Sequence, residues 1–137
     1  MKNSFIVFLL VLAFSCKNET TKTDIQALKV EGLSLNNNEK WIANEETHIG
    51  MNRIDSILKT NTTSNGKILG DALSKQTSYI IKSCDMTGEA HNQLHVILIP
   101  ILEEITAIKD VEDISTLKKK KTTLMGLTAT YFDHFKN

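Results

Sequence analysis

Four stretches of the chain space their apolar residues in steps of three and four, which places those side chains on one face of an α-helix. The stretches cover residues 39–60, 68–84, 91–108 and 113–135. Short polar connections separate them, and the alternation that is typical of β-strands is absent. Helices joined by short turns pack antiparallel. The pattern therefore predicts an all-α fold, an up-down-up-down antiparallel four-helix bundle over residues 39–137.

The residues ahead of the bundle follow two other patterns. Residues 16–38 are rich in Thr, Asn, Lys and Ser and have little periodicity, which predicts a flexible tether. Before them come a basic start, the uncharged run Phe5–Phe14 and the small residue Ser15. This order predicts a secretory signal peptide over residues 1–15, and the apolar run is shorter than a membrane span requires.

Cys16 directly follows Leu12-Ala13-Phe14-Ser15, an order that resembles the signal of bacterial lipoproteins. The resemblance implies cleavage before Cys16 and acylation of this residue, which would make the membrane a partner through a lipid anchor. An ordinary signal peptide that contains a cysteine is the alternative. The next residues, Lys17-Asn18-Glu19, resemble a surface-export signal of Bacteroidetes-type lipoproteins. The expected location is the cell envelope, as an outer-membrane lipoprotein on the periplasmic face or at the cell surface.

Charge and cysteine content limit the kinds of partner and site that the sequence predicts. The chain carries 16 basic and 16 acidic residues, and this balance gives no indication of nucleic-acid binding. The only cysteines are Cys16 and Cys84, so acylation of Cys16 leaves Cys84 without a disulfide partner in the same chain. A single thiol outside the cytoplasm is unusual. Cys84 is therefore expected to be buried, bound to a metal, or paired with another chain.

The bundle topology gathers the chemically distinctive side chains at one end. The starts of the first and third helices lie there beside the ends of the second and fourth. Thiolate, thioether and imidazole groups form the ligand set of a soft or borderline transition metal, either copper or zinc. His91 and His95 are spaced i, i+4 and share a helix face. The predicted metal ligands are Cys84, His91, His95, Met86 and His48, with Asn44, Glu89, Tyr131 and His134 as supporting residues around them.

Other interpretations of the same residues remain open. Haem with Met51 and His95 as axial ligands is an alternative cofactor. A Cys–His pair resembles a nucleophile with its base, but nothing in the sequence indicates an oxyanion hole or a cleft, and no enzyme activity is predicted. The competing function is a structural or protein-interaction module. In that case Asn44, Cys84, His91 and His95 would form a buried hydrogen-bond network that fixes the helix register.

Several of these residues also carry a resemblance. Lys40-Trp41, Asn44-Glu45-Glu46, Met51, the motif Cys84-x-Met86-x-Gly88-x-Ala90-His91-x-x-Leu94-His95 and the following Pro100 resemble small uncharacterised lipoproteins and secreted helical proteins of Bacteroidetes-type bacteria. The resemblance covers residues 39–100. It implies that these residues belong to one unit, and it implies no activity, cofactor or protein partner.

Overall fold

A computed structural model describes residues 25–137 and confirms the all-α four-helix bundle. Each helix packs against the next along the chain, and the fourth also packs against the first. Among the described residues, no helix is long and apolar enough to cross a membrane. The predicted signal peptide (residues 1–15) and Cys16 lie outside the described residues. The elements are β1 (Trp41–Ile42), α1 (Glu45–Thr60), α2 (Gly66–Ser83), α3 (Gly88–Ile108), α4 (Ile114–His134) and β2 (Phe135–Lys136).

Capping side chains define where two of the helices begin. The Asn65 side chain accepts a hydrogen bond from the Ile68 amide at the start of α2, at 3.0 Å. The Asp113 carboxylate accepts one from the Thr116 amide at the start of α4, at 2.8 Å. Such bonds satisfy amides that have no partner within the helix.

The first helix begins at Glu45, six residues later than the apolar pattern predicts. The preceding residues Trp41–Ile42 form β1, which pairs in parallel with β2 in the register Trp41 to Phe135 and Ile42 to Lys136. The Ala43 amide continues the pairing by donating to the Lys136 carbonyl at 2.8 Å. Strands of two residues are too short to show an alternating pattern, which explains why the sequence gives no sign of them.

The hydrophobic core fills the space between the four helices. Met51, Ile54 and Leu58 of α1 are fully buried, as their spacing predicts. The other helices contribute residues from their own apolar stripes, among them Leu69, Leu73, Ile80, Leu94, Ile97, Ile101, Ile105 and Leu124. Among the described residues, the buried hydrophobic side chains of the core lie between Ala43 and Phe135.

Residues 25–38 lie against the bundle. Leu28 contacts α4, where its amide donates to the Gly126 carbonyl at 3.4 Å and its carbonyl accepts from the Thr130 hydroxyl at 2.7 Å. Further along, the Ser34 amide donates to the Gln93 side chain at 2.8 Å. Val30 and Leu33 pack against the core. The packed segment therefore includes the second part of the stretch that the sequence assigns to a tether.

Replacing Thr130 with valine is expected to lower the free energy of unfolding by about 1 kcal/mol, because the Leu28 carbonyl loses its hydroxyl donor. Chemical denaturation measures this change. Thr123→Val is the matched control, since the Thr123 hydroxyl bonds only to the Lys119 carbonyl of its own helix. If the two variants lost the same free energy of unfolding, the result would contradict a stabilising contact between residues 25–38 and α4.

Candidate metal site at one end of the bundle

Contacts between neighbouring helices place the predicted site residues at the same end of the bundle. The Asn44 amide group, just before α1, donates to the Ser83 carbonyl at the end of α2, at 2.9 Å. His48 near the start of α1 and Tyr131 near the end of α4 approach to 3.4 Å, from Nδ1 to the phenol oxygen. Cys84 immediately after α2 meets His91 in the first turn of α3. These contacts agree with antiparallel packing.

Cys84 and His91 form the closest pair of potential metal ligands. The Cys84 Sγ lies 3.7 Å from the His91 Nδ1, and both side chains are half-buried. Gly88, with a φ of +67°, starts α3 in the left-handed region that glycine adopts without strain, so the turn brings the two residues together. In a tetrahedral zinc site with usual bond lengths, a sulfur and an imidazole nitrogen lie about 3.6 Å apart. The observed separation therefore fits two ligands of one metal ion.

His95 lies one turn after His91, and the centroids of the two imidazole rings are 4.3 Å apart. Its side chain is exposed, which leaves it free to change rotamer. Within residues 25–137, no group of three His, Cys, Asp or Glu side chains is already positioned to hold a metal ion. Two candidate ligands thus lie close together, and a third from His95 would require a rotation of its ring.

The other two predicted ligands occupy different surroundings. Met86 is half-buried and packs against the hydrophobic core. His48 contacts aromatic residues of α4, with its ring 5.5 Å from the Phe132 ring in an edge-on arrangement and its Nδ1 near the Tyr131 hydroxyl. The structure therefore brings Cys84, His91 and His95 together and pairs His48 with α4.

Three of the predicted supporting residues are engaged in hydrogen bonds within or between elements. The Asn44 amide group also donates to Glu46 at 2.9 Å, in addition to its bond with α2. Glu89 accepts from the Gln93 side chain at 3.0 Å and from Asn92 at 3.2 Å, and these two bonds hold the pKa of Glu89 below its usual value. His134 Nδ1 lies 2.8 Å from the Thr130 carbonyl, to which it donates.

Tyr131 is the buried member of this group. Its ring stacks on Phe135 at a centroid distance of 5.0 Å. Burial raises the pKa of the Tyr131 phenol, and the negative charge of an ionised Cys84 raises it further. The phenol therefore stays protonated at neutral pH, so it can donate a hydrogen bond to His48.

Gln93 is not among the site residues that the sequence predicts. It is buried, donates to Glu89, and accepts from the Ser34 amide. The i, i+4 pair with Glu89 could have been recognised from spacing. The contact with Ser34 could not, because 59 residues separate the two positions.

Two acceptor atoms beside the site have no partner among the described residues. They are the Asn44 Oδ1 and the Thr47 Oγ1, both enclosed. A buried oxygen without a donor costs free energy.

The proposed haem pair is not assembled. Met51 is fully enclosed in the core, whereas His95 is exposed, so the two side chains do not face a common pocket. This end of the bundle instead places the half-buried Cys84 thiol beside the His91 imidazole, with the exposed His95 imidazole next to it. Comparisons of the chain with protein-family models, curated proteins and solved structures find no match.

Proposed function

We propose that the chain is a cell-envelope lipoprotein, anchored through Cys16, whose bundle binds copper(I) or zinc(II) through Cys84 and His91, with His95 as the third ligand. The role is metal binding, sensing or buffering without turnover. The observation that carries the proposal is the 3.7 Å separation of the Cys84 sulfur from a His91 nitrogen in a half-open position.

Ligand chemistry supports both metals. Thiolate and imidazole bind zinc, and thiolate also selects copper(I) over harder ions. Coordination requires the thiolate and a neutral imidazole, so metal binding would release the thiol proton and weaken as the pH falls. A water molecule or His95 would complete the ligand set.

The contacts of the histidines favour a metal site over a purely structural network. A network would enclose the imidazoles and have them donate to backbone carbonyls or to Asn44. Instead, His95 is exposed, and among the described residues the polar neighbours of the His91 ring are the Cys84 thiol and the His95 imidazole. Asn44 does bridge two helices, but its donors go to Ser83 and Glu46.

Elemental analysis of the chain from Cys16 onward, with Cys16→Ser and without a chelator or histidine tag, tests the proposal. After exposure to copper(I) or zinc(II), we expect one equivalent to remain bound through gel filtration. Cys84→Ser and His91→Ala should each weaken binding at least about 100-fold, because loss of a direct ligand exceeds the usual effect of losing a supporting contact.

His134→Ala is the matched control, since this histidine lies at the same end but its Nδ1 bonds to a backbone carbonyl. It should leave affinity and stoichiometry unchanged. Unchanged metal binding in both Cys84→Ser and His91→Ala would refute the proposed site. Capture of metal at only half an equivalent, with Cys84 shared between two copies, would refute the three-ligand site within one chain.

A further inference from the structure

Among residues 25–137, the segment that lies on the outer face of α4 covers only part of the helix. Toward the end of the helix, Gly126 and Thr130 lie beneath residues 26–28, and a side chain at position 126 would collide with Leu28 and approach the Gln26 carbonyl to 3.2 Å. The same face continues toward the helix start, because positions 122 and 123 lie four and three residues before Gly126. Its uncovered part consists of Ser115, Lys118, Lys119, Thr122 and Thr123, which line one shallow surface depression.

This uncovered face is cationic. Lys118 and Lys119 are exposed and form no ion pair with the described residues. By contrast, Lys120 pairs with Glu104 at 3.1 Å, and Lys121 donates to the Asn61 carbonyl.

Two further residues, Asp113 and Ile114, border this surface. Asp113 caps α4, and its pKa is lowered first by hydrogen bonds from Thr116 and last by the charge of Lys119. Ile114, one turn before Lys118, is 67% exposed and adds an apolar edge. Basic residues next to an exposed aliphatic side chain suit the surface of an anionic membrane.

The described chain begins beside this face. Residues 26–28 lie on Gly126 and the chain then runs toward the end of α4, so the first described residues lie beside the middle of the helix. Eight residues, 17–24, lie between Cys16 and Ile25, and an extended chain from one to the other spans at most about 30 Å. Lys119 precedes Gly126 by seven residues, which is about 10 Å along a helix. A membrane at Cys16 is therefore within reach of the lysines.

We propose that the lysine face, defined by Ser115, Lys118, Lys119, Thr122 and Thr123, docks on anionic lipid headgroups of the membrane that holds the chain. The inference rests on the lipid anchor at Cys16. Docking would lay α4 along the membrane. The bundle would then turn α2, which packs between α1 and α3, toward the solvent.

Headgroup quenching of a fluorescent label on the complete lipidated chain tests this orientation. In a Cys84→Ser background, one variant carries Thr122→Cys on the lysine face. The control carries Ser78→Cys, which is exposed on α2. Each is reconstituted into vesicles of neutral phosphatidylcholine alone or with about one-third phosphatidylglycerol, and both vesicle types contain a lipid with a nitroxide headgroup.

We expect the label at position 122 to be quenched at least threefold more strongly than the label at position 78, and only in the anionic vesicles. Salt at 0.5 M should remove the difference, because the Debye length then falls well below 10 Å. Lys118→Gln with Lys119→Gln should lower the ratio of docked to undocked chains about 25-fold, since each lysine near an anionic surface contributes about fivefold to this ratio.

Other outcomes overturn the proposal in distinguishable ways. Equal quenching at both positions in anionic vesicles means that the bundle does not preferentially turn the lysine face toward the membrane. A label at position 122 that is shielded from soluble quenchers in detergent and in neutral vesicles means that the chain's own preceding residues cover the face. Mass spectrometry reports acylation of Cys16 separately. If Cys16 is not acylated, flotation of the same chain with the two vesicle types decides whether the face still binds.

Discussion

Replacing Gly66 with alanine is expected to lower the free energy of unfolding by about 3 kcal/mol. Gly66 begins α2 and packs directly against the connection between α3 and α4. A Cβ at this position would collide with the Ile108 carbonyl oxygen and lie 2.8 Å from the Val111 carbonyl oxygen. Both are backbone atoms of one turn, closed by a 3.2 Å bond from the Val111 amide to Ile108, so neither can move alone. Overpacking of this kind costs 1–3 kcal/mol or more.

Denaturant titration followed by circular dichroism measures the effect of Gly66→Ala. Lys75→Ala on the exposed side of the same helix should stay within about 0.5 kcal/mol of the original chain. If Gly66→Ala proved no more costly than Lys75→Ala, the close approach of α2 to the α3–α4 connection would be wrong.

Replacing Tyr131 with alanine is expected to lower the free energy of unfolding by about 4 kcal/mol, whereas Tyr131→Phe should cost less than about 1 kcal/mol. The ring is fully buried, stacks on Phe135, and meets Phe132 edge-on at 5.1 Å. Alanine would remove this packing and leave a cavity. Phenylalanine would keep the packing and lose only the hydroxyl, whose contact with His48 is long at 3.4 Å.

The pH dependence of the free energy of unfolding distinguishes the contribution of the Tyr131 hydroxyl from that of its ring. Burial, and then the charge of Cys84, keeps the pKa of Tyr131 above its ordinary value of about 10. In the unfolded chain the phenol ionises near pH 10, while in the folded chain it remains protonated. The contribution of the protonated Tyr131 phenol to the free energy of unfolding is therefore complete below pH 10, and it is lost progressively as the pH rises above 10. Tyr131→Phe should lose less stability than the original chain between pH 9 and 11, and identical slopes would contradict the buried phenol.

The sequence predicts the helices well because their pattern is local. The residues that face the core, such as Met51 and Ile80, repeat at spacings visible along the chain. The start of α1 could not be predicted in this way. Trp41 and Ile42 continue the apolar pattern, but they pair with Phe135 and Lys136 at the other end of the chain. Likewise, Leu28 packs on α4 through contacts about 100 residues apart.

Part of the candidate site could also be inferred from the sequence. Spacing places His91 and His95 on one helix face, and a short turn brings Cys84 beside them. The positions of His48 and Met86 depend on the rotation of each segment about its own axis. That rotation is set by packing, which turns His48 toward Tyr131 and Met86 toward the core. Topology therefore predicts which end of the bundle holds these side chains, but not which neighbour each one meets.

The pairing of β1 with β2 has a consequence for how the chain folds. Residues 41 and 135 are far apart in the chain, and bringing them together costs loop-closure entropy that the intervening helices reduce once they have formed and aligned. Local helical contacts form faster than such distant ones. The strand pair is therefore expected to form last and to open first. Exchange of the Ala43 amide hydrogen, which is bonded to the Lys136 carbonyl, would then report the separation of the first helix from the last before the core itself is exposed to water.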